Sequence, residues 1–549
     1  MQEIYKQYCD EFFDEKGALA DIKINVPSNF NFGYDILDKI AQESPSDLAL
    51  LWCDVDGNER RITFEEMSRL SNRAANLFMA NGIKRGDFVM LILKRNYEYW
   101  YIINALHKIG AIAVPGTHML TFDDLKYRVN LAKIKSVVFT PQGDIPSKIL
   151  DVHKLCPELC NLFSVRKDIE GCLNISKELE NYSDKLERVP TSVEDTMLAY
   201  FTSGTTGHPK LVEHCYSYPL GHIVTAKYWQ NVKPGGLHLT VSDTGWGKAA
   251  WGKLYGQWLV GTTVLVYDFD KFIANDLLNV IEKYKVNTFC APPTIYRFFM
   301  KEGLGNHDLS CLEYATTAGE ALNYEIIKQF KEKTGLQIME GFGQTETTAI
   351  LITQAGSKHS GSLGSPSPMY DVVLVDEDGH DVGVNKVGEI CVKLESDKHQ
   401  VGIFKKYYNN PELDDFVRRG GLYHTGDTAV RDKDGYFWYV GRIDDVIKSS
   451  GYRIGPFEIE SVLMEHPAVL ECGVIGIPDD IRGQLVKADV VLTSSYKPSP
   501  ELAKELQNFV KEKTAPYKYP RVIEFMDSLP KTISGKIRRN ILRKIHKKV

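Results

Sequence analysis

Apolar and polar positions along this chain alternate between two periods. Met67, Leu70, Ala74, Leu77 and Phe78 recur at helical spacing. Thr63 with Glu66 reads as a capping box opening that helix, and Gly82 suits its stop. Phe88-Val-Met-Leu-Ile-Leu93 follows, an uninterrupted apolar run of strand length. Another helical stretch ends near Gly110, and Ala111–Val114, Ser136–Phe139 and Met197–Phe201 repeat the strand pattern. Continuous apolar strands alternating with amphipathic helices predict strands covered on both faces, which is the α/β class. Asp56-Gly57 predicts a hairpin turn before the series begins.

From Asp444 onward the pattern contracts into a smaller α+β unit. A helix is expected near Glu458 to Glu465, strands at Cys472–Ile475 and Val486–Leu492, and a helix near Pro500 to Lys513. The unit closes on a basic end with Lys531, Lys536, Arg538 and Arg539. The expected organisation is a large N-terminal multi-subdomain α/β region, 1–442, followed by a small mobile α+β C-terminal domain, 443–549. The junction falls at Arg442 to Asp445. A length of 549 residues exceeds what one hydrophobic core holds.

Composition narrows the function classes. With 43% hydrophobic and 25% charged residues, disorder is not favoured. A net charge of −6 supplies no global attraction to nucleic acid or an anionic membrane, so neither partner is expected. The ten cysteines form no CxxC pair, and nothing near Cys156 and Cys160 completes a metal site; reduced thiols are expected. Met1 to Lys16 lacks the apolar centre of a signal peptide, and the apolar runs are too short to span a bilayer. These features point to a cytoplasmic protein without stable membrane insertion.

The first candidate chemistry is the segment Thr202-Ser203-Gly204-Thr205-Thr206-Gly207-His208-Pro209-Lys210, set directly after a strand. Two glycines permit close backbone approach to an oxyanion, and the hydroxyls and Lys210 supply donors. The spacing is not that of a Walker A loop. Taken alone, a surface turn rich in Thr and Gly fits equally well. Four further segments change this: Gly341-Phe-Gly-Gln-Thr-Glu346, Tyr423-His-Thr-Gly-Asp427, Gly441-Arg-Ile-Asp-Asp445 with Lys448-Ser-Ser-Gly-Tyr-Arg453, and Pro530-Lys-Thr-Ile-Ser-Gly-Lys536. In order and spacing the set resembles the acyl-adenylate-forming superfamily, which includes acyl-CoA synthetases, luciferases and peptide-synthetase adenylation modules. It is most similar to the short- and medium-chain acyl-CoA synthetases.

The resemblance implies an ATP-dependent ligase, using Mg²⁺, that converts a carboxylic acid to acyl-AMP and then to its coenzyme A thioester. Glu346 becomes the magnesium ligand, and Thr345 a phosphate contact. Asp427 and Arg442 fall at the ribose. Gly319-Glu320-Ala321 falls on the adenine side, with Ala321 where a proline is frequent, and Glu340 and Gly341 lead into the motif. Phe342 lies either against the adenine or in the core, and Gln344 belongs to the same nucleotide-binding stretch. Lys536 is implied as the catalytic lysine of adenylation, and Arg453 as a contact of the β/γ-phosphates. Asp444 is the implied hinge and Gly451 the lining of the pantetheine channel. Trp246, Lys248, Trp251 and Gly343 fall where the acyl pocket is built; Gly343 stands where acetate-specific members carry Trp, which implies a deeper slot. The two tryptophans read equally as core residues, and Lys248 is expected to reach out to solvent. A C4 to C8 saturated acid is expected, and Lys536 fits the pattern modified by lysine acetyltransferases. Two other readings use the same motifs: an enzyme loading a carrier protein, and an inactive nucleotide-binding regulator.

Overall fold

The computed structural model describes the whole chain except residues 1–2, 203–208, 358, 397, 399, 451, 533–535 and 547–549, and the side chain of Arg453. Two large sheets dominate. The first has eight strands, ordered Lys406–Tyr407, Lys210–Cys215, Thr196–Thr202, Ile112–Pro115, Phe88–Ile92, Ser136–Phe139, Asn161–Ser164 and Leu173–Asn174. The second has nine, with a parallel centre (Ile338–Phe342, Tyr314–Thr317, Thr288–Ala291, Leu237–Thr240, Thr263–Asp268 and Leu48–Asp54) and antiparallel strands at both ends. Helix Glu98–Ile109 is buried at every position, and helix Phe64–Ala80 packs along it within the largest core cluster. Separate apolar clusters join the outer helices to each sheet. This layering is why the sequence shows apolar strands without alternation.

The expected hairpin at Asp56-Gly57 joins the antiparallel strands Leu48–Asp54 and Glu59–Thr63. The capping box is half formed. The Thr63 hydroxyl accepts the Glu66 N–H at 3.2 Å, but the Glu66 carboxylate is taken by Arg60 at 2.7 Å. A cation on the preceding strand thus outcompetes the N-cap backbone for that carboxylate.

A third sheet, wholly antiparallel, comprises Val372–Val375, Val387–Lys393, Leu422–Arg431 and Phe437–Arg442. It ends at Arg442, whose carbonyl accepts the N–H groups of Asp445 and Val446, both at 3.0 Å. Beyond this turn, helices Pro456–Leu463 and Pro500–Lys513 cover the strands Val469–Asp479, Gly483–Leu492 and Val522–Phe525 with their own apolar cluster. The Asn323 side-chain amide donates to the Ser461 carbonyl at 2.8 Å, tying this last unit to the main body.

Candidate active site

The candidate motifs begin at the carboxyl ends of three strands, the usual ligand position in such sheets. Strand Thr196–Thr202 leads to the Thr/Gly segment, Tyr314–Thr317 to residues 318–322, and Ile338–Phe342 to residues 343–347. Of the phosphate-loop candidates, Thr202 and Lys210 are register partners across two antiparallel strands. Ser203, Gly204, Thr205, Thr206 and Gly207 lie outside the described residues, as does Gly451. The Lys210 ammonium lies 5.6 Å from the centre of the Tyr407 ring.

Glu346 sits beside that lysine. Its carboxylate is buried and accepts the Tyr407 hydroxyl at 2.8 Å. Burial pushes its pKa up, opposed by the Tyr407 hydrogen bond and by the charges of Lys210 and Arg442. For Lys210, burial pushes the ammonium's pKa down and Glu346 opposes the shift. A buried carboxylate that has, among the described residues, a single side-chain hydrogen-bond donor is a fitting ligand for a hard cation. Tyr407 arrives on a two-residue strand pairing with Lys210–Cys215, and no sequence motif announced it.

Asp427 is the best-held carboxylate of the site. It accepts from Gln344 Nε2 at 2.6 Å, the Tyr439 hydroxyl at 3.1 Å and Arg442 Nη1 at 3.2 Å. Tyr439 and Arg442 are three apart on one strand and should face opposite sides. A register shift between Thr428 and Ala429, which skips Val440 on the facing strand, brings both to one carboxylate. Burial raises the Asp427 pKa, and Arg442, Tyr439, Gln344 and Lys536 work against the rise. Arg442 also donates to the Thr425 carbonyl at 3.0 Å and pairs with Asp444 at 3.6 Å. Its guanidinium lies so close to Gly426 that a Cβ there would meet Nη2 at 2.7 Å, and Gly426 has φ +71° besides. Gln344 joins two motifs, donating to Thr425 and Asp427 while accepting the Tyr423 hydroxyl at 2.8 Å. At the bulge in strand Leu422–Arg431, buried Glu389 accepts the Gly426 N–H at 2.9 Å and His424 Nδ1 at 2.8 Å. The sequence motif marks Gln344 only as part of the nucleotide stretch, and no motif marks Tyr439 or Glu389.

On the opposite wall, Gly319 has φ +100° and stands exposed, while Glu320 and Ala321 are half-buried. Glu320 lies 3.9 Å from Arg297. The Thr345 carbonyl accepts from His214 Nε2 at 2.8 Å. Phe342 packs partly against the main core, and Gly341 leaves room for the Trp229 indole. Lys248 does not reach out to solvent. Its ammonium donates to the Ala318 carbonyl, and burial lowers its pKa, with Lys536 lowering it further and Glu320 and Cys290 opposing. An inward carbonyl satisfies the charge that solvent was expected to take. The space over Gly343 is also used: a Cβ there would meet the Thr348 carbonyl at 2.3 Å and the Trp251 ring at 2.5 Å. The missing side chain therefore makes room for packing, and Trp251, buried against Trp229, sets the local wall. Trp246 stays half-buried ahead of helix Gly247–Gly252.

Glu340 is buried and accepts the Leu322 N–H at 3.2 Å. Burial pushes its carboxyl from 4.5 up to about 8, and the Leu322 hydrogen bond works the other way. The folded protein thus holds this proton more tightly than the unfolded chain. The resulting stability is full below pH 4.5 and is lost as pH rises through about 8. Glu340→Gln should therefore be the more stable protein above pH 8, by on the order of a few kcal/mol. Urea unfolding across pH reads this directly; a Gln variant no more stable than its parent at alkaline pH contradicts it.

Lys536 is exposed and lies in the terminal unit, with its charge felt at both Asp427 and Lys248. Arg453 pairs in register with Lys448 on a short hairpin. The chain matches the family described as AMP-binding enzyme over residues 37–408, and the AMP-binding enzyme C-terminal domain over 458–536. The chain belongs to the AMP-binding enzyme family. This AMP-binding enzyme is 41% identical to the mitochondrial acyl-coenzyme A synthetase ACSM4 of Mus musculus, over 96% of its own length and 93% of the relative's. It is 40% identical to the mitochondrial acyl-coenzyme A synthetase ACSM3 of Homo sapiens, over 97% and 92%. Among solved structures it superposes on the anthranilate CoA ligase AuaEII in complex with anthranoyl-AMP with a TM-score of 0.86. That pair is 29% identical, covering 95% of this AMP-binding enzyme and 98% of that chain.

Proposed function

We propose that this AMP-binding enzyme is an acyl-CoA synthetase whose acid is a C4 to C8 saturated chain, straight or branched, with Lys536 serving the first of two half-reactions. ATP, the acid and CoA are its substrates, and Mg²⁺ its metal. In the first step a carboxylate oxygen bonds to the α-phosphorus, the bond to the β-phosphate bridge breaks, and pyrophosphate leaves. In the second the CoA thiol gives up its proton and bonds to the acyl carbon. The C–O bond then breaks and AMP departs with the oxygen.

The first step brings two anions together, so positive charge must be aimed at the shifting electrons. Lys536 supplies it from the terminal unit; Lys210, Thr202 and Ser203 to Gly207 cradle phosphate, with Arg453 on the β/γ-phosphates. Glu346 would hold Mg²⁺, which would offset phosphate charge when bound. Asp427 and Arg442 take the ribose, and Gly319 to Ala321 with Glu340 to Thr345 enclose the nucleotide. The observation carrying this reading is the buried Asp427 carboxylate held by Gln344, Tyr439 and Arg442 at the end of 1–442, on which the charge of Lys536 from 443–549 acts. Rotation about Asp444 then exchanges Lys536 for Gly451, whose bare backbone admits pantetheine.

Trp251 fills the space over Gly343, so that glycine does not itself deepen the slot, and Trp251 sets the wall that bounds the chain, with Lys248 turned inward to the Ala318 carbonyl. Each buried methylene contributes about 0.8 kcal/mol, or roughly fourfold in preference, until the slot is full. Across a panel of acids, kcat/KM from pyrophosphate release should peak between C4 and C8. Acetate or palmitate as the best substrate contradicts the assignment.

Two finer points belong to the same proposal. A lysine acetyltransferase modifies exposed Lys536, removing its charge; enzyme recovered from cells rich in acetyl donors without an adduct at Lys536 would contradict this. The enzyme works in the cytoplasm. Among the described residues no helix is long and apolar enough to cross a membrane, but the relatives above are named as mitochondrial, so recovery in an organelle fraction would overturn the placement.

A further inference from the structure

Lys536 is tied back to the chain that precedes it. Arg538 N–H donates to the Pro530 carbonyl at 2.8 Å, Thr532 N–H to the Lys536 carbonyl at 2.8 Å, and Lys536 N–H to the Thr532 hydroxyl at 3.0 Å. These bonds join residues 530–532 to 536–538 but do not set where Lys536 sits; that depends on what holds the flanking chain. One hold is apolar: Leu529 and Leu542 are buried together, with Ile537 against them. The other is ionic and begins three residues after the lysine.

Arg539 opens helix Arg539–His546 and directs Nη2 to both oxygens of Glu460, each at 2.7 Å. Its Nη1 reaches Asp445 at 3.3 Å, the residue directly after Asp444. Arg543 pairs with the same Asp445 and donates to the Asp444 carbonyl at 3.2 Å. Glu460 is itself buried and fixed by the Val474 N–H at 2.8 Å. We propose that Arg539 is a positioning residue for Lys536, spanning Glu460 and Asp445 so that the lysine loop moves as one piece with the chain leaving the hinge. The proposal rests on the reading of Lys536 as the adenylation lysine. A lysine in place of Arg539 keeps the charge but lacks the planar fork needed to bridge two carboxylates.

Misplacing a catalytic group by about 1 Å costs about 100-fold. Arg539→Lys should therefore slow acyl-AMP formation about 10- to 100-fold in kcat, with KM for ATP and acid within about twofold. Thioester formation from supplied acyl-AMP and CoA should stay within about twofold of the parent. Glu460→Gln should show the same split and replaces the first variant if that one is insoluble. Lys536→Ala is measured alongside. If it loses adenylation while the Arg539 and Glu460 variants lose both half-reactions equally, lose neither, or fail to fold, the positioning role is overturned. If Lys536→Ala itself keeps full adenylation, the reading of Lys536 has failed instead.

Discussion

Lys536→Ala is expected to lower the rate of acyl-AMP formation by about 1,000-fold, the order found when an aimed charge is removed from a transition state. Its effect on thioester formation from supplied acyl-AMP and CoA should be within about threefold. The side chain is exposed, so truncation costs no core packing and the melting temperature should stay unchanged. The split follows from geometry: the lysine belongs to the unit beyond Arg442, yet its charge acts on Asp427 in the main body. Under the proposed role of Lys536, substrates for the second step no longer carry the α,β-phosphate bond whose breaking the ammonium would assist. Pre-steady-state measurement of each half-reaction tests this. Equal losses in both, with the fold intact, would remove the two-conformation account.

The second large effect is expected at Asp427. Its carboxylate is held by Gln344, Tyr439 and Arg442, an arrangement suited to receiving two hydroxyls of a ribose. A hydrogen bond to a charged group contributes about 1.5–3 kcal/mol, so losing two costs about 3–6 kcal/mol. Asp427→Ala should thus reduce kcat/KM for ATP by about 100- to 10,000-fold. It also leaves the half-buried Arg442 without its main counter-ion, which adds to the loss. Asp427→Asn keeps the shape and should retain more activity than Ala. Steady-state kinetics with ATP varied and the acid saturating decides it; an Ala variant within about threefold of the parent contradicts the assignment.

Much of this site could be read from residue order, because its motifs occupy strand ends and turns. Asp427 ends a Thr-Gly-Asp bulge within strand Leu422–Arg431 that requires glycine, since Gly426 has φ +71° and lies under a guanidinium. Strands such as Phe88–Ile92 were legible because two helix layers bury both faces. The antiparallel sheet from Val372 to Arg442 was not, because its strands carry the motifs themselves and lack a helical partner in the pattern. Tyr407 and Tyr439 were missed for a different reason. Tyr407 comes from a two-residue strand, and Tyr439 reaches Asp427 only through a register shift. Lys248 shows the limit of reasoning by residue type: a carbonyl in the right place reversed the expected direction of its side chain.

The central claim is that the acid's own oxygen bonds to the α-phosphorus of ATP and leaves with AMP. Running the complete reaction with Mg²⁺, CoA and an acid labelled with oxygen-18 in its carboxylate tests it most directly. The account predicts one labelled oxygen in the AMP phosphate and none in inorganic pyrophosphate. Unlabelled AMP, or label appearing in inorganic phosphate alongside ADP, would contradict it.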